Sequence, residues 1–196
     1  IVEGGSVAEN AERIAEAVSA LTDTVGNQQT ILEMMIGEPE ATPTNLSRVV
    51  RHRVELAEAR APEATIELRV DDEAVALATA NVGCAVEQLL ANAIEYADGQ
   101  PQIAVALETD GAHVQLCVRD GPPSIPAFEV EVLTGGRSID HLNHSTGLGL
   151  WIVQWAVKHA GGAVAFERTD TGGNEVALTF PVADAAGEPP DSAAES

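Results

Sequence analysis

The chain has 196 residues, a formal charge of −21, a sequence pI near 4.3, and 45% hydrophobic against 3% aromatic residues, a composition suited to a soluble globular protein with one well-cored domain and an appendage. Charge interrupts the apolar stretches before any reaches bilayer length, and the N-terminus lacks a basic-then-apolar leader, which argues against a spanning segment or a secretory precursor. Ten Lys and Arg against 31 Asp and Glu are too few to displace phosphate counterions along a nucleic acid, so no nucleic-acid partner is expected.

Ile1 stands where an initiator Met would, so a longer parent chain is expected. Ser6 and Glu9 have capping-box spacing, and Val7, Ala11, Ile14, Val18, Leu21, Val25, Gln28, Leu32 and Met35 recur at alternating steps of four and three. This a/d seam predicts a coiled-coil helix over residues 7–36, about 45 Å long, which needs a partner helix to cover it. The stretch 37–43, with Gly37, Pro39 and Pro43, reads as a hinge.

Beyond the hinge the pattern is mixed. Helices are predicted over 45–60 and 80–97, with a strand over 65–70 between them. Strands over 102–108 and 113–119 flank a Thr-Asp-Gly turn of hairpin type. The Gly- and Pro-rich stretch 120–146 is expected to be irregular and too long to be an idle connection. A helix over 148–159 stops at Gly161-Gly162, strands over 163–168 and 175–181 close the domain, and 184–196 reads as a disordered acidic tail. The order gives an α+β fold: a two-layer α/β sandwich with helices on one face of a mixed sheet, preceded by the coiled-coil helix. Cys84 and Cys117 are expected to be reduced, buried small hydrophobes.

Three stretches carry polar groups that chemistry can use. On the helix over 80–97, Asn81, Gln88, Asn92 and Glu95 share the face opposite an apolar stripe running from Val82 to Ala97. They form either a solvated helix face or, through the Asn92 carbonyl, a hard-oxygen site for Mg²⁺. Asp120 ends a buried strand ahead of Gly121, Pro122, Pro123, Ser124, Ile125 and Pro126, where it either accepts from a base's exocyclic amine or begins a Pro-rich turn. Ser145, Thr146, Gly147, Leu148, Gly149 and Leu150 open an apolar helix, and glycines at that spacing serve a phosphate cradle or a tight turn.

In this order, the three stretches resemble the ATP-binding catalytic domain of sensor histidine kinases, the nucleotide fold shared with type II topoisomerases and certain heat-shock chaperones. Residues 87–96 are similar to the family's Asn-box, 120–126 to its first Gly-box and 145–153 to its second; the resemblance spans about 45–182, and residues 142–151 are especially similar to halophilic archaeal members. The resemblance implies the histidine-kinase ATPase fold, with Gln88 and Asn92 as catalytic residues and Asn92 coordinating Mg²⁺. It implies ATP bound by Asn92, Glu95, Tyr96, Asp120, Gly121, Ser124, Ile125, Ser145, Thr146, Gly147, Leu148, Gly149 and Leu150. Among these, Asp120 would read adenine and Gly147 and Gly149 would wrap the phosphates, under an ATP lid over 127–144.

The implied organisation is a dimerisation helix over 1–40, half of a histidine-phosphotransfer hairpin, then a catalytic domain over 41–183 and the tail. The implied reaction is transfer of the ATP γ-phosphoryl group to a histidine upstream of Ile1, then to a response-regulator receiver domain. The protein would work in the cytoplasm as a homodimer through residues 7–36, controlled by upstream sensor domains. The first Gly-box departs from the family's Asp-x-Gly-x-Gly pattern: Pro122 and Ser124 fall where glycines are usual, and no phosphoacceptor box is present. A degenerate, non-catalytic dimeric signalling module is therefore the alternative. An anti-sigma type of serine kinase on the same fold has no need of the long heptad helix. His52 reads as a helix-surface residue, His141 and His144 as lid residues rather than a metal site, and His113 and His159 as solvated or dipole-facing imidazoles.

With Lys158 as the single lysine and acidic residues spread along the whole chain, the composition is that of a salt-adapted protein. A net charge of −21 should make the domain lose stability when KCl falls from ~2 M to ~0.1 M, because the Debye length grows to about 10 Å and self-repulsion is no longer screened. A melting temperature that stays flat or rises on dilution would refute the salt adaptation.

Overall fold

In the computed structural model, which describes residues 39–136 and 148–183, the chain enters through a short strand, β1 (Thr42–Asn45), and turns at once into helix α1 (Leu46–Arg60). Asn45 makes the transition. Its side chain accepts from the Arg48 N–H at 2.9 Å and so satisfies one of the helix's unpaired amides. One residue into the helix, the buried Ser47 hydroxyl donates to the Asp71 carbonyl at 2.7 Å and accepts from the Ala74 N–H at 2.9 Å, which ties α1 to the turn between β2 (Thr65–Val70) and β3 (Val75–Ala78). Then follow α2 (Val82–Glu95), β4 (Gln102–Asp110), β5 (His113–Arg119), α3 (Ala127–Leu133), α4 (Leu148–His159), β6 (Ala163–Arg168) and β7 (Asn174–Pro181).

Five strands form one mixed sheet in the order β2-β4-β5-β7-β6, with β2 parallel to β4 and every other neighbour antiparallel. β1 and β3 make a separate antiparallel ribbon, joined to the end of β7 by an Ala76–Val182 bridge. Alternation decides which face is covered. Val114, Leu116 and Val118 of β5 and Val176, Leu178 and Phe180 of β7 point into the core with Ile103, Val105 and Leu107 of β4. Their neighbours His113, Gln115, Cys117 and Arg119 occupy the opposite, open face. The inner face packs against Val50 and Val54 of α1, Val86, Leu89 and Leu90 of α2, and Ile152, Val153 and Ala156 of α4, each burial contributing roughly 1.5–3 kcal/mol for the larger side chains. Trp151 and Trp155 lie one turn apart on α4 with ring centroids 6.4 Å apart, and His159 stacks on Trp155 at 4.1 Å while its Nδ1 meets the Trp155 carbonyl at 2.8 Å.

An ionic clamp joins α1 to α2. Glu87 accepts from Arg53 at 2.7 Å through one oxygen and from Arg60 at 2.6 Å through the other. Arg53 reaches it by lying across Gly83, where a Cβ would stand 2.9 Å from the guanidinium.

The two-layer mixed-sheet architecture agrees with the sequence reading, and several details correct it. Thr42 and Pro43, expected in the hinge, belong to β1, where Pro43 sits in a two-stranded ribbon that tolerates its missing N–H. β3 was not expected from the sequence, since Val75–Ala78 is short and rich in alanine, which has little strand preference. α3 occupies part of the stretch expected to be irregular. The helix expected over 80–97 runs from Val82 to Glu95, and β4 and β7 extend to Asp110 and back to Asn174. Cys84 and Cys117 are half-buried rather than buried, and neither is in a disulfide. His52 and His113 are exposed, as expected. The coiled-coil helix over 7–36, the tail 184–196, and His141 and His144 lie outside the described residues. Among the described residues no helix is long and apolar enough to cross a membrane.

Replacing Glu87 by Ala should lower stability by about 1.5–3 kcal/mol, because it leaves Arg53 part-buried over Gly83 without its acceptor. Arg60→Ala should cost much less, since that side chain is 68% exposed. Urea unfolding of the three proteins, with Arg53→Ala as the third, checks the order; equal losses for the two arginines would refute the clamp's asymmetry.

Candidate functional site

The ends of β5 and β7 meet α2 and α3 around a pocket of about 220 Å³. α2 contributes Asn92, Ala93 and Tyr96; the segment after β5 contributes Asp120, Gly121, Pro123, Ser124 and Ile125. Glu129 of α3, Leu150 of α4 and Asn174 of β7 complete the principal lining. The volume is below the ~300–1,000 Å³ of sites that enclose a drug-sized ligand, so it accommodates a ring-sized part of a ligand and leaves the remainder outside.

Asp120 and Asn174 form the centre of the site. The pairing of β5 with β7 carries past its last paired residues, Arg119 and Glu175, as the Asp120 N–H donates to the Asn174 carbonyl at 3.0 Å. In return Asp120 Oδ1 accepts from the Asn174 N–H at 2.9 Å and from Asn174 Nδ2 at 2.7 Å. Asn174 is only 3% exposed, and its side chain also fastens the Pro-rich loop: Nδ2 donates to the Pro123 carbonyl at 3.1 Å, while Oδ1 accepts from the Ile125 N–H at 2.7 Å and the Ser124 hydroxyl at 3.2 Å. Gly173 permits this closeness, since a Cβ there would collide with the Asp120 carbonyl oxygen. Every hydrogen bond of the Asp120 side chain among the described residues falls on Oδ1, which leaves Oδ2 for a ligand.

Electrostatically the pocket is acidic. Burial pushes the Asp120 carboxyl above its ordinary value, and the Asn174 hydrogen bonds offset part of that. Burial also raises Glu129. The Tyr96 phenol is raised by burial and then by the negative charges of Glu95 and Glu129. Among the described residues no Lys or Arg lines the pocket. Arg119 is directed to the other face of the sheet, where it donates to Glu175 beside Cys117; burial and Glu175 push that thiol up to about 11. A larger cavity of about 380 Å³ on that open face includes none of the residues expected from the sequence to be functional.

Of those expected residues, Asn92, Tyr96, Asp120, Gly121, Ser124, Ile125 and Leu150 line the one pocket. Gln88, Glu95, Leu148 and Gly149 are described but do not line it. Gln88 lies one turn from Asn92 on α2, against Gly149, where a Cβ would strike its amide oxygen. Glu95 is exposed, and Leu148 opens α4, half-buried against the core. Ser145, Thr146 and Gly147 lie outside the described residues, as do residues 137–144 of the expected lid, whose first part is α3. The polar side of α2 divides accordingly. Asn92 faces the pocket, Gln88 faces α4 and Glu95 faces solvent.

Asn174 and Glu129 were missed from the sequence. Asn174 follows Gly172-Gly173 and reads as a turn residue, although an Asn opening a strand whose other inward positions are Val176, Leu178 and Phe180 is a polar group on the core side, and that was the available signal. Glu129 lay in a stretch expected to be irregular, which gave its side chain no direction.

Asn92 has a hard amide oxygen facing the pocket and no side-chain hydrogen bond among the described residues. Among those residues no group of three or more His, Cys, Asp and Glu is placed to hold a metal. A divalent ion that takes one protein oxygen and completes its shell with water and ligand phosphates fits this donor set.

Residues 77–184 match the family model described as histidine kinase-, DNA gyrase B-, and HSP90-like ATPase. The chain is 30% identical over 185 residues to the probable sensor histidine kinase TcrY of Mycobacterium tuberculosis (strain ATCC 25618 / H37Rv), a match covering 90% of this chain and 39% of that protein. It therefore spans about two fifths of this relative's length. The structure of the mycobacterial sensor histidine kinase MprB superposes with a TM-score of 0.60 at 25% identity, covering 72% of this chain and 97% of the other. Full-length ShkA in complex with AMPPNP superposes with a TM-score of 0.66 at 20% identity, over 94% of this chain and 40% of ShkA, and shows a shared fold.

Asn174→Ala should destabilise the domain by roughly 2–3 kcal/mol at neutral pH, because it removes the Nδ2 donor from a half-buried carboxylate and the Oδ1 acceptor that Ile125 and Ser124 share. The loss should depend on pH. Asp120 already sits above its ordinary value in the fold, so its ionisation opposes folding as pH rises through that raised value, and without Asn174 the opposition is greater. The deficit should therefore shrink as pH falls from 7 toward about 5. Urea unfolding across that range checks it; a deficit independent of pH would mean that Asn174 acts only through the loop.

Proposed function

Because the chain belongs to the histidine kinase-, DNA gyrase B-, and HSP90-like ATPase family, we propose that it is the ATP-binding catalytic region of a two-component sensor histidine kinase. The arrangement of Asp120 carries the proposal. One of its oxygens is tied up by Asn174 and the other is left at the end of a ring-sized pocket, an acceptor aimed where an adenine amine would enter. Tyr96, Ile125, Ala93 and Leu150 supply apolar surface for the ring.

The remaining residues are assigned around that contact. Asn92 offers its amide oxygen to Mg²⁺, which when bound neutralises phosphate charge that this acidic pocket cannot. Gln88, beside Gly149 on the α4 side, orients the groups near the phosphates; Gly121, Ser124 and Ile125 border the base; Glu95 and Leu148 lie further out. Ser145, Thr146, Gly147 and Gly149 form the phosphate side, and the segment 127–144 is the lid over the bound nucleotide. The chain's contribution to phosphoryl transfer is positioning and exclusion of water, the transition state needing no covalent help from the protein. The acceptor is a histidine upstream of Ile1, and the phosphoryl group passes from it to a response-regulator receiver domain. Residues 1–40 serve dimerisation through the seam 7–36, residues 41–183 bind nucleotide, 184–196 are a tail, and the region works in the cytoplasm under upstream sensor domains, in a salt-adapted organism.

One observation favours a second reading, a non-catalytic signalling module on the same fold. Pro122 and Ser124 stand where the family usually has glycines, and the Pro122 carbonyl is engaged by the Asp98 N–H at 3.0 Å, so the loop is pinned rather than free to follow a ligand.

Calorimetric titration with ATP and Mg²⁺ in molar KCl separates the two. Under the kinase reading ATP binds, and Asp120→Asn weakens it by roughly 1–3 kcal/mol while the fold survives, because the amide keeps an oxygen for Asn174 and presents an N–H₂ to the base amine in place of Oδ2. Absence of both binding heat and a thermal shift with the wild-type chain would favour the signalling module.

A further inference from the structure

Glu129 is a second carboxylate in the pocket, placed so far only as part of the lid segment. It projects from α3 into the space bordered by Asn92, Tyr96 and Asp120. It is half-buried, yet among the described residues its side chain has no ion pair and no hydrogen bond, and no Lys or Arg lines the cavity beside it. Its charge also reaches the Tyr96 phenol across the pocket, so the two groups border one volume. A carboxylate withdrawn from water without a partner is unfavourable unless a ligand supplies a donor.

The ligand's chemistry narrows which donor that is. An adenine nucleotide has neutral N–H or O–H donors in two places, the exocyclic amine of the base and the hydroxyls of the ribose, while its phosphates are anionic acceptors that Glu129 repels. Asp120 Oδ2 is placed for the amine. Building on the nucleotide reading, we propose that Glu129 recognises the sugar, its carboxylate accepting a hydrogen bond from a ribose hydroxyl, so that the site prefers ribonucleotides over deoxyribonucleotides and directs the phosphates away from α3 toward the start of α4.

The test is a cycle between residue and ligand: ATP, 2′-deoxy-ATP and 3′-deoxy-ATP titrated with Mg²⁺ into the wild-type chain, Glu129→Ala and Glu129→Gln, each with its melting temperature. The wild type should bind ATP about tenfold more tightly than at least one deoxy analogue, equivalent to ~1.4 kcal/mol. Glu129→Ala should abolish that preference without lowering the melting temperature, and Glu129→Gln, whose amide oxygen still accepts, should keep part of it. A preference identical in the wild type and Glu129→Ala, or no preference in either, overturns the sugar assignment while leaving nucleotide binding intact. A lowered melting temperature with an unchanged preference overturns it in favour of a structural role. If ATP itself does not bind the wild type, both the nucleotide reading and this one fall.

Discussion

Asn174 is closed off from water, and its amide is satisfied only when Asp120, Pro123, Ser124 and Ile125 all stand in one arrangement. A buried amide with a missing partner costs more than the bond it would have made, so this one residue sets the shape of the segment that follows β5. The loop carries Pro122 and Pro123 and has only Gly121 for freedom, so it does not obtain its conformation from flexible backbone. A side chain from the neighbouring strand imposes it. The same contact selects which oxygen of Asp120 faces inward and which faces the cavity, so the β5–β7 register fixes the chemistry at the pocket's end.

The sequence exposed some of this and hid the rest for identifiable reasons. α1, α2 and α4 are long enough for a 3.6-residue period to emerge, and the alternation in β5 and β7 is clear because one face is buried and the other is not. β3 is four residues of Val, Ala and Leu, too short and too weakly biased to declare itself, and its place comes from pairing with β1 and from the bridge to Val182. α3 is framed by Pro126 and Gly135, residues that usually mark a loop, while the burial of Val132 and Leu133 that holds it in place is tertiary. Asp120 and Asn92 stood out as a polar residue at a strand end and an Asn on a helix face, but those positions alone left a turn and a solvated face open. Their roles came from the order of the three motifs and the family they resemble. Asn174 did not stand out, since its function lies in partners 49 to 54 positions away.

Charge is distributed in this molecule with some economy. Ten basic residues serve the whole chain, and α1 alone holds Arg48, Arg51, Arg53 and Arg60. Arg53 and Arg60 converge on Glu87, and Arg51 donates to the Val70 carbonyl at 3.1 Å. These cations stabilise the frame, and among the described residues none borders the pocket. Those residues offer an anionic ligand no counter-charge, which follows from where the arginines of α1 are placed.

The only two tryptophans of the chain, Trp151 and Trp155, are neighbours on α4, the helix whose Leu150 borders the pocket. Indole fluorescence from this protein therefore originates in a single element, with the two rings close enough to exchange excitation. An emission shift would register motion or solvation of α4 and nothing in the sheet, so the molecule carries a native optical label on the helix beside its pocket.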